Sequence, residues 1–457
     1  MRRRYTGDWL PGQFKPRLTT QTSRFVLANR PVTRQICRML LRLIALLICL
    51  AATGWYLHGE QRAGHLQRVD EHFLDFLVAN VRDRFRQPDP RAKDQVVLVQ
   101  MRKEDATEYA AWPPPPLDWQ TVLKSLSSYE PSVVVITTPL TWGRPAPDFV
   151  PAVAEALLPF SSTILGIEAK MAEPGAEGPA FMGEFADILP RFQRVDGDLA
   201  LAPRLAALIT GPDRELRNQM EVGLLSARQS KDQWLLPYAM REGDKLVPSV
   251  LAQALARQSR SPYATQRLRL GAGAGAYLQA GLYVPLEPSG EMKVATSLAV
   301  PTVNALHLMT GTLADGTDDA DKAALGKGKV VVIGADLESA GAGEPRFAQL
   351  YAQALAQALA FPRLRMLSRT QQWLAWGAAV AGALWLTLGV RRARAFLAGL
   401  LLVFLALLTS YLIFQSSLIW FPPTMPAALL MVGALVGSVV GRKEITRPER
   451  PPEKVEP

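Results

Sequence analysis

Residues 96–116 read VVLVQMRKEDATEYAAWPPPP. The run Val96–Met101 is apolar without alternation, which suits a strand covered on both faces rather than one half open to water. Charge follows at once: Arg102, Lys103, Glu104 and Asp105. A short polar, helix-like stretch comes next, then Trp112 and four prolines, Pro113 to Pro116. Each proline fixes its own φ and pushes the residue before it toward an extended backbone. The stretch therefore predicts a buried strand, a charged strand end and a rigid corner leading into a helix.

Outward from this point the same pattern repeats. The helix predicted over Leu117–Ser127 is apolar at 117, 119, 122, 123 and 126. Val133–Ile136 (VVVI) reads as a second buried strand, followed by a helix over Phe149–Leu158 and a strand from Thr163 to Ile167. Pro248–Ala256 and Pro301–Met309 read as helices led by a proline. Tyr283–Leu286 and Lys329–Ile333 read as strands, and Phe347–Ala360 as a last helix. Strands alternating with helices predict an α/β domain with a mainly parallel sheet. Met171–Glu184 and the Gly-rich Arg267–Ala276 read as insertions, and Asp315–Lys329 as a polar loop.

The formal net charge is +10. Much of the basic charge lies before the first apolar run: Arg2, Arg3, Arg4, Lys15, Arg17, Arg24, Arg30, Arg34, Arg38 and Arg42, against Asp8. A basic arm directly before an apolar run is the positive-inside pattern of a membrane protein, and it excludes nucleic acid as the partner that this charge serves. The run Leu43–Leu57, extended back to Met39, approaches the ~20 residues a bilayer requires, with Arg42 snorkelling and Trp55 and Tyr56 at the far interface. As a cleaved signal peptide it would have an unusually long basic region and no clean cleavage site. The two cysteines, Cys37 and Cys49, lie in or beside this run, so no disulfide framework is expected in the middle of the chain.

Three further spans are predicted at the other end, over 371–390, 395–414 and 418–440. Arg391, Arg392 and Arg394 separate the first two, and Arg442 and Lys443 follow the last. With one span before the domain and three after it, every basic segment falls on one side. The expected layout is a basic cytoplasmic arm (1–38), a first span (39–57), a periplasmic α/β domain (58–370), the three later spans, and a disordered cytoplasmic tail (441–457). Both termini are expected in the cytoplasm of a bacterial inner-membrane protein, with no cytoplasmic domain after the tail.

The order of these elements resembles the type-two CHASE domain, an extracytoplasmic sensory module of bacterial membrane receptors. The resemblance rests on a helix with aspartates after the first span, Asp70 to Asp75, then the Val96 strand and the Trp112–Pro113 corner. It continues with Pro248–Ser249 and Ala254–Leu255–Ala256, with Gly328 to Ala335, and with an Ala-rich helix leading into the later spans. The resemblance implies that the first strand should end in an acidic pair with a serine two places on, then Trp-Pro-Trp-Pro-Arg. Arg102 and Lys103 hold the pair positions here, Asp105 the serine position, and Pro114 and Pro116 the second Trp and the Arg. Thr137 stands where the family's second strand carries an Asp.

The carboxyl edge of an open α/β sheet is where ligands bind. Arg102, Lys103, Asp105, Trp112 and Thr137 are therefore the candidate ligand or interface residues, set against the plainer reading of a solvated charged loop. Arg4, Tyr5 and Trp9 are candidates for cytoplasmic docking, since Arg and aromatic side chains favour interfaces. His58, His65 and His72 recur every seven residues. On one helix successive members would stand about 10.5 Å apart, too far to share a metal. The glycines of 271–276 and of Gly326–Lys329 lack the strand–loop–helix setting of a phosphate loop.

No catalytic group, metal or cofactor is expected. Two functions fit: a non-enzymatic membrane sensor that couples to a separate partner, and a structural scaffold subunit of an envelope complex with no ligand. The expected partners are the lipid bilayer, other membrane or envelope proteins, a cytoplasmic signalling protein, and a second copy of the chain.

Overall fold

The computed structural model describes residues 30–62, 65–86, 95–142, 149–173, 180–185, 187–310, 323–336 and 347–440. Arg4, Tyr5 and Trp9 lie outside them, as does the tail from 441. The chain divides into two compact units. One comprises Asp70–Leu367 and Ser410–Phe421; the other takes the segments up to Val69, Ser368–Thr409 and from Pro422 onward.

The first unit is built on a seven-stranded sheet. Its spatial order runs Thr302–Asn304, Val96–Met101, Val330–Ala335, Val133–Ile136, Thr163–Met171, and both Leu205–Thr210 and Glu221–Leu225 pair with the Thr163 strand. All these pairings are parallel except that of Leu205–Thr210. The expected mixed α/β architecture with a mostly parallel sheet is thus present.

The unbroken Val and Ile runs have the cause expected of them. Val96, Leu98, Val133, Val135, Val330 and Val332 face one core, shared with Leu251, Leu255, Tyr351 and Leu355. Those four come from the helices Val250–Gln258 and Phe347–Ala360. Val97, Val99, Met101, Val134, Ile136, Val331 and Ile333 face the opposite core. There the helices Pro116–Ser127 and Val150–Leu157 supply Trp119, Leu123, Val153 and Leu157. Each such side chain contributes roughly 1.5–3 kcal/mol by leaving water. Ser249 starts one covering helix by accepting from the Ala252 N–H at 3.4 Å.

Two expectations need correction. Pro301 does not lead a helix over 301–309; Thr302–Asn304 is an edge strand in register with Leu98–Gln100, and only Ala305–Thr310 is helical. The Pro301 carbonyl accepts from the Leu98 N–H at 2.9 Å, so the proline begins an edge strand, where its missing donor costs nothing. Arg267–Ala276 is not a peripheral insertion either. It is a hairpin of Arg267–Arg269 and Gly275–Tyr277 in a four-stranded sheet with Val195–Asp196 and Tyr283–Pro285. Leu268, Leu270, Ala274 and Ala276 enter the main core. Gly271 and Gly273 make the turn, at φ +81° and +73°.

A third cluster unites segments distant in sequence. Leu77, Val78, Val81 and Phe85 pack with Tyr283, Phe414, Leu418 and Trp420. Beside it Arg365–Met366 pairs in parallel with Ile419–Trp420.

The second unit is helical. Arg369–Leu388 packs closely on Thr424–Val440: a Cβ on Gly433 would lie 2.5 Å from Ala383, and the Thr387 hydroxyl reaches the Gly433 carbonyl at 3.3 Å. Small residues that let backbones approach are the usual means of helix association in lipid. Among the described residues, Met39–Leu57 and Arg394–Ser417 are long and apolar enough to cross a membrane, and only 12% and 11% of each is buried. Thr424–Val439 is apolar but shorter. Two helices therefore meet this measure, against the four spans expected.

Candidate functional site

The strand ends Gln100–Met101, Asn304, Ala335–Asp336 and Thr137–Thr138 gather at the carboxyl edge of the sheet. Successive strand residues point to opposite faces, so Leu98, Gln100 and Arg102 share one face. Together they line a cleft of about 380 Å³. Its other walls are the segment Thr296–Val300, Thr302, and Gln349 and Gln353 of the Phe347–Ala360 helix.

The predicted residues part company here. Arg102 is half-buried, and among the described residues no carboxylate pairs with it. Lys103 is exposed at the start of the short 3₁₀ turn Lys103–Glu108. Asp105 accepts from Asn304 Nδ2 at 2.8 Å, which ties the turn to the edge strand. Trp112 packs with the opposite core, its ring 5.6 Å from that of Tyr109. Thr137 is buried and donates its hydroxyl to the Ile333 carbonyl at 3.1 Å, so that group is spent within the sheet. Of the five, only Arg102 lines the cleft.

The corner after the strand is held by polar contacts. Trp142 Nε1 donates to the Pro114 carbonyl at 3.2 Å, and the Ala110 N–H donates to Asp118 Oδ2 at 3.0 Å. Burial raises the Asp118 carboxyl above its ordinary range, and the Ala110 hydrogen bond pulls it back in part. Burial, then the charges of Asp105 and Asp118, push the Tyr109 hydroxyl up to about 12, with Arg102 opposing.

A second constellation was not anticipated. Asp75, in the helix His65–Asn80, is buried. Its carboxylate accepts from Arg267 Nη2 at 2.6 Å and from the Tyr277 hydroxyl at 2.8 Å, and it also pairs with Arg269 Nη1. Arg267 lies 4.3 Å from the centre of the Tyr277 ring, with Glu71 and Asp196 at 3.7 and 3.6 Å. Burial alone would lower the Arg267 guanidinium; Asp75 and Tyr277 outweigh it and hold it above its ordinary value. Burial, then Tyr283 and Asp75, raise the Tyr277 hydroxyl well above its ordinary value. One signal in the sequence could have found this set. Arg267 and Arg269 lie two apart on a strand and so share a face, where two cations demand an anion.

His58 falls in the helix Arg30–Arg62, and His65 and His72 in the helix His65–Asn80. Of the three side chains only that of His72 is described, and it is exposed. Among the described residues no three His, Cys, Asp or Glu come together as a metal site.

The family model for the CHASE2 domain matches residues 44–391. The chain belongs to the CHASE2 domain family. No curated protein and no solved structure matches it. The CHASE2 domain is an extracytoplasmic sensory domain, of a family generally without catalytic activity. The match extends from inside the first apolar helix to the arginines after Leu388, so the α/β unit of this CHASE2 protein lies wholly within it except for Ser410–Phe421.

Proposed function

We propose that the protein is a multi-pass membrane sensor. Its CHASE2 domain, residues 58–370, faces the periplasm of a bacterial inner-membrane protein and passes its state inward to a separate partner, without catalysis. One span precedes the domain, at 39–57, and three follow it, at 371–390, 395–414 and 418–440.

One observation carries this reading. Ser410–Phe421, which takes in the end of the third predicted span, residues 415–417 and the start of the fourth, is part of the same compact unit as Asp70–Leu367. Its backbone carbonyls at Gln415 and Ser416 accept from Arg84, and Phe414 and Trp420 pack with Leu77, Val81 and Phe85. A segment folded into the domain must share its side of the membrane. That supports one crossing by the helix before it and a return by the helix after it, with Arg391–Arg394 left on the opposite, positive side.

The same contacts supply a route for coupling. The helix that follows the first span is fixed to the four-stranded sheet by Asp75, and its far end packs with Phe414, Leu418 and Trp420. A change of state in the domain would then bear on both membrane attachments. The arm residues Arg4, Tyr5 and Trp9 are suited to receive the partner on the inner face.

The experiment that tests this reading is orientation: the turn at Lys231–Asp232 must be reached by a membrane-impermeant reagent from outside, and the arm must not.

A further inference from the structure

The cleft beside Arg102 has a chemistry of its own. Leu98, Gln100 and Arg102 form its floor at the carboxyl end of a central strand. Gln349 and Gln353 stand four apart, on one face of the Phe347–Ala360 helix, and close a second side. Gln349 lies in the first turn of that helix, at the positive end of its dipole.

Three features define what fits. First, Arg102 is a half-buried guanidinium with no carboxylate partner among the described residues, which calls for an anionic group. Second, Gln353 is buried and lines the cleft. Its Nε2 donates to the Thr296 and Leu298 carbonyls at 2.8 and 3.2 Å, and its Oε1 has no hydrogen-bond partner. Gln100 likewise commits its Nε2, to Asp336 Oδ1 at 2.9 Å, which leaves its oxygen to accept. A buried acceptor without a partner, as at Gln353, calls for a donor. Third, among the described residues no Asp or Glu lines the cleft, so an ammonium finds no ionic partner in that lining. The volume, about 380 Å³, is at the small end for ligand sites.

We propose that this cleft binds a small hydroxylated carboxylate, its carboxylate on Arg102 and its hydroxyls donating to the glutamine oxygens. The proposal deepens the sensor reading and rests on it.

The test is isothermal titration of the full-length protein in detergent micelles with D-gluconate, L-malate and citrate. D-glucose, L-glutamine and inorganic phosphate serve as controls. The expected result is saturable binding of at least one hydroxy acid and none of D-glucose. Arg102→Gln should weaken binding about 10- to 100-fold, as for a lost charged hydrogen bond, and Gln349→Ala should weaken it several-fold. Both positions are at least partly exposed, and an unchanged melting temperature establishes that the variants fold. Saturation by none of the three acids overturns the proposal. So does equal binding of D-glucose, preference for L-glutamine or phosphate, or hydroxy-acid binding that survives Arg102→Gln. None of these outcomes touches the orientation of the domain, so the proposal can fail while the sensor reading stands.

Discussion

Replacing Asp75 by Ala should loosen the helix that follows the first span. Asp75 and Arg267 have side chains only 6% and 7% exposed, so the change strands a buried guanidinium. Breaking one partner of a buried ion pair costs about 3–5 kcal/mol. Glu71 and Asp196 remain 3.7 and 3.6 Å from Arg267 and take up part of the charge, which places the loss at the lower end, about 3 kcal/mol. At 1.4 kcal/mol per decade this is on the order of a 100-fold rise in the open population. Hydrogen exchange of the full-length protein in micelles reads that population directly when reclosing is fast. Amides over Phe73–Asn80 should exchange about 100-fold faster, while those of Val133–Ile136 hold their rates. Removing Arg267 as well, Asp75→Ala with Arg267→Ala, should cost less than Asp75→Ala alone, because the more buried of the two guanidiniums that Asp75 holds is then gone. Unchanged exchange over Phe73–Asn80, or a double variant looser than the single, would refute the reasoning.

Asp118 gives a prediction in pH. Its folded carboxyl titrates above the ordinary value of 3.8 because burial penalises the charge. The folded state thus holds its proton more tightly than the unfolded one, and stability is recovered as pH falls through the folded value. Asp118→Asn keeps an acceptor for the Ala110 N–H without the charge. Its melting temperature should equal or exceed that of the native protein at pH 7, and the difference should shrink toward pH 4; a difference independent of pH would contradict this. For the basic arm, deletion of residues 1–30 should release a stoichiometric partner in native purification while the protein still inserts in the membrane. Retention of that partner would place docking elsewhere.

The central sheet was legible because its strands are covered on both sides. Val96–Met101 and Val133–Ile136 have no polar face to confuse with a helix pattern, and both strands begin and end where the runs do. Glu221–Leu225 is hidden for the opposite reason: it opens on Glu221 and holds Gly223, where a Cβ would lie 3.0 Å from Val250. Thr302–Asn304 was hidden behind a proline that reads as a helix start. The strands between Arg228 and Val294 carry three to five residues each, too few for a period to show.

At the site, Arg102 could be found from its place at a strand end. Gln349 and Gln353 could not, since glutamines on an Ala-rich helix read as its solvent face. The two-residue spacing of Arg267 and Arg269 is the one signal for the partners of Asp75, and the glycine-rich stretch they sit in hides the strand that puts them on one face.

The most direct test of the account is the side of the membrane on which the CHASE2 domain lies. Cys37 and Cys49 would be replaced by Ala, leaving no native thiol. Asp232→Cys, in an exposed turn of the domain, and Gln13→Cys, in the basic arm, would each supply one thiol. Spheroplasts would then be treated with a membrane-impermeant maleimide before and after permeabilisation. The account predicts labelling at position 232 in intact spheroplasts, and at position 13 only once the membrane is opened. Labelling at 13 but not at 232 in intact spheroplasts, or equal labelling of both, would contradict it.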